Sequence, residues 1–195
     1  MSIELSAPIT TSSVPASRLR PVGIVLAGSL LAAFCAHIAL PLYFTPVPLT
    51  LAPWAVLLLG LVLSPRMAAA TFVAYLAEGA LGLPVFAPGL LFTSGLAHLF
   101  GPTGGYLVAY PIAAALIAFI WRRSQHGFTA ALYSAAAGSL LIITSGALWL
   151  SVLTHASLSA VLSLAVLPFL PGDILKIALA AATVAGIDRL RRQVR

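Results

Sequence analysis

The stretch RLRPVGIVLAGSLLAAFCAHIAL, residues 18–40, decides the class of this protein because a long apolar run directly follows two arginines. The run from Val22 to Leu40 has no Asp, Glu, Lys or Arg and, as a helix, is long enough to cross the ~30 Å hydrocarbon core of a bilayer. In the whole chain 61% of the residues are hydrophobic and 7% are charged, and the mean hydropathy is +1.09. So little polar surface cannot cover a water-soluble globule, and we predict an integral membrane protein.

The positions of the arginines predict its topology. Five more apolar segments follow the first: Pro53–Leu63, Met67–Leu81, Gly104–Trp121, Phe128–Leu150 and Gly172–Arg189. Arginines occupy every second gap between segments, at positions 18 and 20, 66, 122 and 123, and 189, 191, 192 and 195. The other gaps, Leu40–Thr50, Gly82–Thr103 and Ser151–Leu170, contain no Lys or Arg. Because cytoplasmic loops retain positive charge, we predict an all-α fold of six transmembrane helices with both termini in the cytoplasm.

The remaining segments complete this picture. Residues 1–20, rich in Ser, Thr and Pro, read as a flexible cytoplasmic tail, and residues 21–195 as one transmembrane domain. The apolar stretch Ser157–Leu167 is shorter than the ~20 residues of a span, so we predict an interfacial or re-entrant piece. The proline-rich outer loops must be packed in protein or line a cavity if they lie at membrane depth, and such loops form lids.

Several classes of function are excluded. The net charge is +6, but nearly all the cations lie at helix ends, where they set orientation and meet lipid headgroups rather than nucleic acid. Cys35 is the single cysteine, and the four histidines are scattered over different segments, so we expect neither a metal site nor a cofactor. The glycine-rich run at 101–105 lacks the Lys-Ser/Thr ending of a phosphate loop, which argues against ATP hydrolysis by this chain.

Apart from arginine, three ionisable side chains lie within predicted helices where burial is expected: Glu78, Asp173 and Lys176. Each costs about 2.5–3.5 kcal/mol at mid-bilayer, so intramembrane charge predicts a functional site. At 1.5 Å per residue, Glu78 and Lys176 lie about 18 and 20 Å from the cytoplasmic boundary. Asp173 and Lys176 share one helix face, although the pair also fits a helix cap with its counter-ion or an outward-reaching lysine.

A second pattern is a stripe of small residues at four-residue spacing on the first helix, Gly28, Ala32 and Ala36. Such a stripe lets another helix approach closely. It fits either the docking of a partner protein or ordinary internal packing.

Four stretches together resemble the BioY family, the biotin-specific substrate-binding (S) components of energy-coupling factor (ECF) transporters. They are TPVPLT at 45–50, GALGLPVF at 79–86, GPTGGY at 101–106 and PFLPGDILK at 168–176, in the order of the family. The resemblance implies a six-helix S-component fold in a bacterial cytoplasmic membrane that captures biotin from outside and takes part in its uptake. It also implies a transmembrane T component and cytoplasmic ATPase subunits as partners, or self-association in members that act alone, and it favours docking for the Gly28 stripe.

The resemblance assigns a ligand site as well. The polar pair of the family corresponds to Asp173 and Lys176, which we expect to hold the ureido ring of biotin. Where many members have Gln, this chain has Ala52, so Glu78 or a loop residue is expected to supply the missing polar contact. Further candidates for the site, mostly aromatic side chains that would cover the apolar body of the ligand, are Trp54, Tyr43, Phe86, Phe92, Thr103 and Tyr106.

Two other functions compete with biotin uptake. An S component for another small vitamin would keep the fold and exchange the pocket. An intramembrane enzyme would use Glu78 and Asp173 as a carboxylate pair, but no nucleophile or metal motif supports it. We therefore predict a transport protein rather than an enzyme.

Overall fold

A computed structural model describes residues 16–88 and 95–193. It is helical apart from one miniature sheet. The helices are α1 (Ala16–His37), α2 (Ala52–Val62), α3 (Pro65–Ala80), α4 (Leu96–Leu99), α5 (Gly104–Arg123), α6 (Phe128–Thr154), α7 (Leu158–Ala165) and α8 (Leu170–Gln193). The strands β1 (Ala39–Leu40) and β2 (Leu49–Thr50) pair antiparallel between α1 and α2.

The helix boundaries follow local chemistry. Pro53 lies in the first turn of α2, where the missing N–H of proline costs nothing. The turn between α2 and α3 is closed by Ser64, whose hydroxyl accepts from the amide of Met67 at 3.4 Å, with Pro65 as the first helical residue. Helix α6 ends where His155 adopts a left-handed conformation, with φ 51°.

In the part of the chain that the structure describes, four helices are apolar and long enough to cross a membrane: Arg20–His37 within α1, Gly104–Arg123, Phe128–Thr154 and Leu170–Leu190 within α8. α2, with 11 residues, is apolar but shorter, and α3 has 16 residues. The eight residues of α7 rise only about 12 Å, which is too short for a span. Its apolar side, formed by Val161 and Ala165, packs on Leu150 of α6.

At the beginning of the chain, the structure differs from the predicted boundaries of the tail and of the first helix. α1 starts at Ala16 rather than Val22, so residues 16–20, which the sequence assigned to the tail, are helical. α1 also ends at His37, because the next residues leave the helix to form β1. The rest of the predicted tail lies outside the described residues.

Helix α5 is central to the bundle and packs against α2, α3 and α6. Its close approach to α6 depends on two glycines in its first turn. A Cβ at Gly105 would collide with Trp149 and would lie 2.7 Å from the carbonyl oxygen of Ser145. The Trp149 indole N–H also donates to the Gly101 carbonyl, just before α5, at 2.8 Å. This hydrogen bond stabilises the contact between α5 and α6 and fixes the position of the first turn of α5.

Candidate functional site

A cavity that holds charged side chains lies at the end of the bundle where α1 ends and α2, α5 and α8 begin. The space within it that no atom occupies is about 590 Å³, including the space open at its mouth. Ala36 from the last turn of α1, Ala52 from α2 and Leu107 from α5 form part of an apolar wall. Val47 and Pro48 from the loop between β1 and β2 also face it.

The charged groups of this cavity are Asp173 and Lys176. The Lys176 ammonium donates to a carboxylate oxygen of Asp173 at 3.0 Å, and their side chains are 10% (Asp173) and 8% (Lys176) exposed. Asp173 lies in the first turn of α8, where exposed amides and the helix dipole stabilise a carboxylate. One bond to Asp173 occupies one of the three donors of the ammonium. The pair therefore has hydrogen-bonding capacity left for a ligand in the cavity.

Three tyrosines supply most of the aromatic wall: Tyr75, Tyr106 and Tyr110. The rings of Tyr75 and Tyr110 are stacked, with centroids 6.4 Å apart. The Tyr75 hydroxyl donates to the Val85 carbonyl at 3.1 Å, and the Tyr106 hydroxyl to the Ala165 carbonyl at 2.8 Å. Two of the hydroxyls thus hold the loop at Val85 and the last residue of α7 in place, while their rings offer flat apolar surface to the cavity.

His98 in α4 is a further polar residue of the wall. Its buried ring is stacked on Phe86, with centroids 5.0 Å apart and planes at 27°. In the two described ranges, no three His, Cys, Asp or Glu side chains are grouped so as to hold a metal ion.

Four residues of the predicted site lie together in this wall: Asp173, Lys176, Thr103 and Tyr106. The other candidates do not. Glu78 is absent from the wall and faces α1, where one carboxylate oxygen accepts from the Ser29 hydroxyl at 2.8 Å. Its other oxygen is buried without a hydrogen-bond partner in the described residues. Glu78 is thus separated from Asp173, and the ligand contact predicted for it stays a prediction.

The aromatic candidates other than Tyr106 do not lie together in the structure. Tyr43 is 93% exposed because it lies near the tip of the loop between β1 and β2, pointing away from the protein. Trp54 packs between two groups of core residues, with its indole N–H buried and unpartnered in the described residues. Phe86 lies behind Tyr75 and His98. Phe92 lies outside the described residues, and the other three are not part of the cavity wall.

The stripe on α1 is internal. Ala32 is 0% exposed and Ala36 is 1% exposed, and Ala36 is part of the cavity wall. A Cβ at Gly28 would lie 2.7 Å from the Thr71 side chain of α3. The small residues thus allow α1 to approach its own neighbours, which favours internal packing, and the docking role stays a prediction.

Sequence reasoning missed Tyr75, Tyr110, His98 and Phe169, all of which line the cavity. An aromatic residue in an apolar helix carries no signal of which way it faces, so no pattern could have singled out the two tyrosines. Ala52 was singled out only as a departure from the family, and its place in the wall confirms that this position faces the cavity.

The comparisons with known proteins agree with this geometry. A sequence model of the BioY family matches residues 8–193. The chain is 40% identical to the probable biotin transporter BioY of Pyrococcus horikoshii over 75% of this chain and 82% of that protein. It is 33% identical to the biotin transporter BioY2 of Lactococcus lactis subsp. cremoris over 90% and 92% of the two chains.

The fold has a solved counterpart. The crystal structure of the S-component for biotin from an ECF-type ABC transporter superposes with a TM-score of 0.79 at 26% identity, covering 93% of this chain and 95% of that one. The family match spans nearly the whole chain, and the helical architecture agrees with it. The chain therefore belongs to the BioY family.

Proposed function

We propose that this protein binds biotin in the cavity at the beginning of α8 and takes part in its uptake across the cytoplasmic membrane. The observation that carries the proposal is the buried Asp173–Lys176 pair in the wall of an otherwise largely apolar cavity. Unlike a structural ion pair sealed in a core, this pair borders open volume. The relatives named as biotin transporters support the choice of ligand.

The chemistry of biotin matches the cavity. Its fused ureido ring has two N–H donors and one carbonyl acceptor, which correspond to the Asp173 carboxylate and the Lys176 ammonium. Its apolar thioether ring and methylene chain suit the rings of Tyr75, Tyr106 and Tyr110. The pair thus selects the ureido group, and the tyrosines cover the rest of the ligand.

The carboxylate of biotin needs a second polar region. Ala52 supplies no polar atom, and Glu78 faces away from the cavity. Outside the α8 pair and the tyrosines, the polar side chains of the wall are Thr50, His98 and Thr103. We assign the valerate end of the ligand to the side of the cavity formed by His98 and Thr103.

The uptake role requires a full membrane topology. We assign six spans, with α2 and α3 added to the four long apolar helices, and both termini in the cytoplasm. The alternation of arginine-bearing and arginine-free gaps supports this assignment. A T component and cytoplasmic ATPase subunits would supply the energy, in keeping with the ECF-type assembly named for the structural counterpart.

A panel of vitamins tests the ligand. Purified protein is heated with biotin, thiamin, riboflavin or lipoate at about 100 times the dissociation constant expected for biotin. Binding to the folded state alone then stabilises it by about 2.7 kcal/mol, which raises the melting temperature by about 5–10 °C for a chain of this size. We expect a shift with biotin only. A shift with another vitamin and none with biotin would identify that vitamin as the ligand and would leave the assigned fold unchanged.

Cysteine labelling tests the topology. Cys35 is buried and is first replaced by Ala. A cysteine placed at the exposed Ser163 of α7 is expected to react with an impermeant reagent in intact cells. A cysteine placed at Ser124, beside two arginines, is expected to react only after the cells are opened. Labelling of position 124 in intact cells would overturn the orientation.

A further inference from the structure

The side chain of His98 forms part of the cavity wall and is buried. It belongs to the four-residue helix α4, which packs on α3 and α5. The His98 amide donates to the Gly95 carbonyl at 3.1 Å, and the His98 carbonyl accepts from the Gly101 amide at 3.2 Å. The backbone that carries this ring is thus fixed on both sides.

The orientation of the ring is fixed as well. It stacks on Phe86, with centroids 5.0 Å apart. Phe86 packs edge-to-face on Tyr75, with centroids 5.4 Å apart and planes at 80°, and it lies close to Gly79 of α3, where a Cβ would collide with its ring. The His98 ring is therefore preorganised at the cavity, which lowers the entropy cost of holding a ligand.

His98 can add a positive charge to the cavity without breaking the ion pair of α8. The ionisable residues of the described wall are Asp173, Lys176, His98, Tyr75, Tyr106 and Tyr110. Lys176 and Asp173 balance each other at 3.0 Å, and tyrosine is ordinarily uncharged at neutral pH. In the sequence, residues 89–94 contain no ionisable side chain. Histidine is the side chain that ordinarily changes its charge near neutral pH.

Biotin brings one charge into the cavity, its carboxylate, which is ionised above about pH 5. An ionised carboxylate is costly to bury unless a cation or hydrogen-bond donors pair with it. With the neutral ureido ring assigned to the α8 pair, the carboxylate depends on the other polar groups of the wall. Thr103, whose side chain makes no capping bond in α5, and the positive end of the α5 dipole both favour an anion on this side.

We propose that His98 pairs as an imidazolium with the carboxylate of the ligand, and that this pairing makes the cavity selective for biotin with a free carboxylate over biotin amides. The inference rests on the proposed function for the identity of the ligand. An imidazolium has two N–H donors, so one nitrogen can serve the carboxylate while the other keeps a partner within the protein. A biotin amide presents no negative charge to this side of the cavity.

Biotin and biotinamide test this selectivity, because they differ only in this group. We expect the wild type to bind biotin at least about 30-fold more tightly than biotinamide. His98→Phe keeps an aromatic ring on Phe86 and removes both nitrogens. It is expected to weaken biotin binding by about 30-fold, since the buried carboxylate loses its partner, and to change biotinamide binding by less than about threefold.

The affinities are measured by isothermal titration calorimetry on purified, monodisperse protein. His37→Phe is the matched control, because His37 is exposed at the end of α1 and its Nδ1 lies 2.8 Å from the Ala33 carbonyl of its own helix. This control is expected to leave both affinities within about twofold. Unchanged biotin affinity in His98→Phe would overturn the inference. An equal loss for both ligands would overturn it too, because His98 would then only support the wall.

The pH profile of the wild type is a second readout that needs no variant. Because the pairing requires the protonated ring, biotin is expected to bind about tenfold more tightly at about pH 6 than at about pH 8. Biotinamide is expected to show a flat profile. Identical profiles for the two ligands would refute the imidazolium.

Biotinamide also controls for the other titratable groups near His98, which are present with either ligand. Those of the wall are Tyr75 of α3, Tyr106 and Tyr110 of α5, and Asp173 and Lys176 of α8. Glu78 of α3 faces Ser29 instead. If the wild type bound neither ligand, the proposed function would fall and this inference with it. If it bound biotin with no preference over biotinamide, only the inference would fall.

Discussion

The Asp173–Lys176 pair makes the sharpest test of the site, because its members can be neutralised singly and together. The two groups are 3.0 Å apart and nearly buried. Asp173→Asn leaves the Lys176 ammonium without its carboxylate, and Lys176→Met leaves the carboxylate without its ammonium. The double variant removes both charges and leaves none stranded in the cavity.

The structure sets the magnitude. Truncating one partner of a buried, hydrogen-bonded charge pair costs about 2–5 kcal/mol in binding. These side chains retain 8% and 10% of their exposure and border open volume, so the lower part of that range applies, about 2–3 kcal/mol. Each single variant is therefore expected to bind biotin about 30- to 150-fold more weakly.

Stability and binding are expected to separate in the double variant. A single neutralisation leaves an unpaired charge and lowers the thermal stability of the ligand-free protein, whereas neutralising both removes that penalty. We expect the melting temperature of Asp173→Asn/Lys176→Met to return close to that of the wild type. Its affinity is expected to stay as low as that of either single variant, since the groups that would contact the ureido ring are gone.

The assay is equilibrium dialysis with labelled biotin on purified, monodisperse protein, paired with thermal unfolding. Asp188→Asn is the matched control, because it makes the same chemical change in the same helix, and Asp188 is not part of the cavity wall. Affinity close to that of the wild type in the double variant would refute the reasoning. The pair would then be a helix cap with its counter-ion, and the ligand would bind elsewhere.

Three further predictions follow from the packing. Gly105→Ala is expected to lower the melting temperature by about 2–12 °C, because its Cβ would collide with Trp149 and overpacking costs about 1–3 kcal/mol. Glu78→Gln is expected to leave biotin affinity within about twofold and not to reduce thermal stability, because the side chain lies outside the cavity wall and a neutral group is favoured at membrane depth. Ala32→Leu is expected to destabilise the isolated protein, because Ala32 is fully buried.

Each of these has its own control and contrary result. Gly186→Ala meets no atom within 4 Å and should leave the melting temperature unchanged, so equal effects at positions 105 and 186 would contradict the packing argument. A tenfold loss of affinity in Glu78→Gln would place that residue in the site. Leu30→Ala, at an exposed position of α1, controls for Ala32→Leu. Slower uptake by Ala32→Leu at unchanged stability would favour the docking interpretation.

Helices α3 and α8 show most clearly which side-chain positions the sequence could predict and which it could not. Asp173 and Lys176 could be paired from sequence because residues three apart on a helix are neighbours whatever surrounds the helix. Glu78 could not be assigned, since Tyr75, three residues earlier and only about 60° away around the helix axis, faces the cavity while Glu78 faces Ser29 of α1. Depth along the helix was predictable, and rotation about its axis was not.

The sequence by itself determined the membrane class and most helix boundaries to within a few residues, because hydrophobicity, prolines and caps act locally. Only the tertiary structure decided which faces meet. The small residues at 28, 32 and 36 allow any close neighbour, and the fold makes α2 and α3 those neighbours. Within one loop, Tyr43 turns outward and Val47 turns inward. The physical reason is that the orientation of an apolar side chain depends on which partner covers it, and covering partners come from distant parts of the chain.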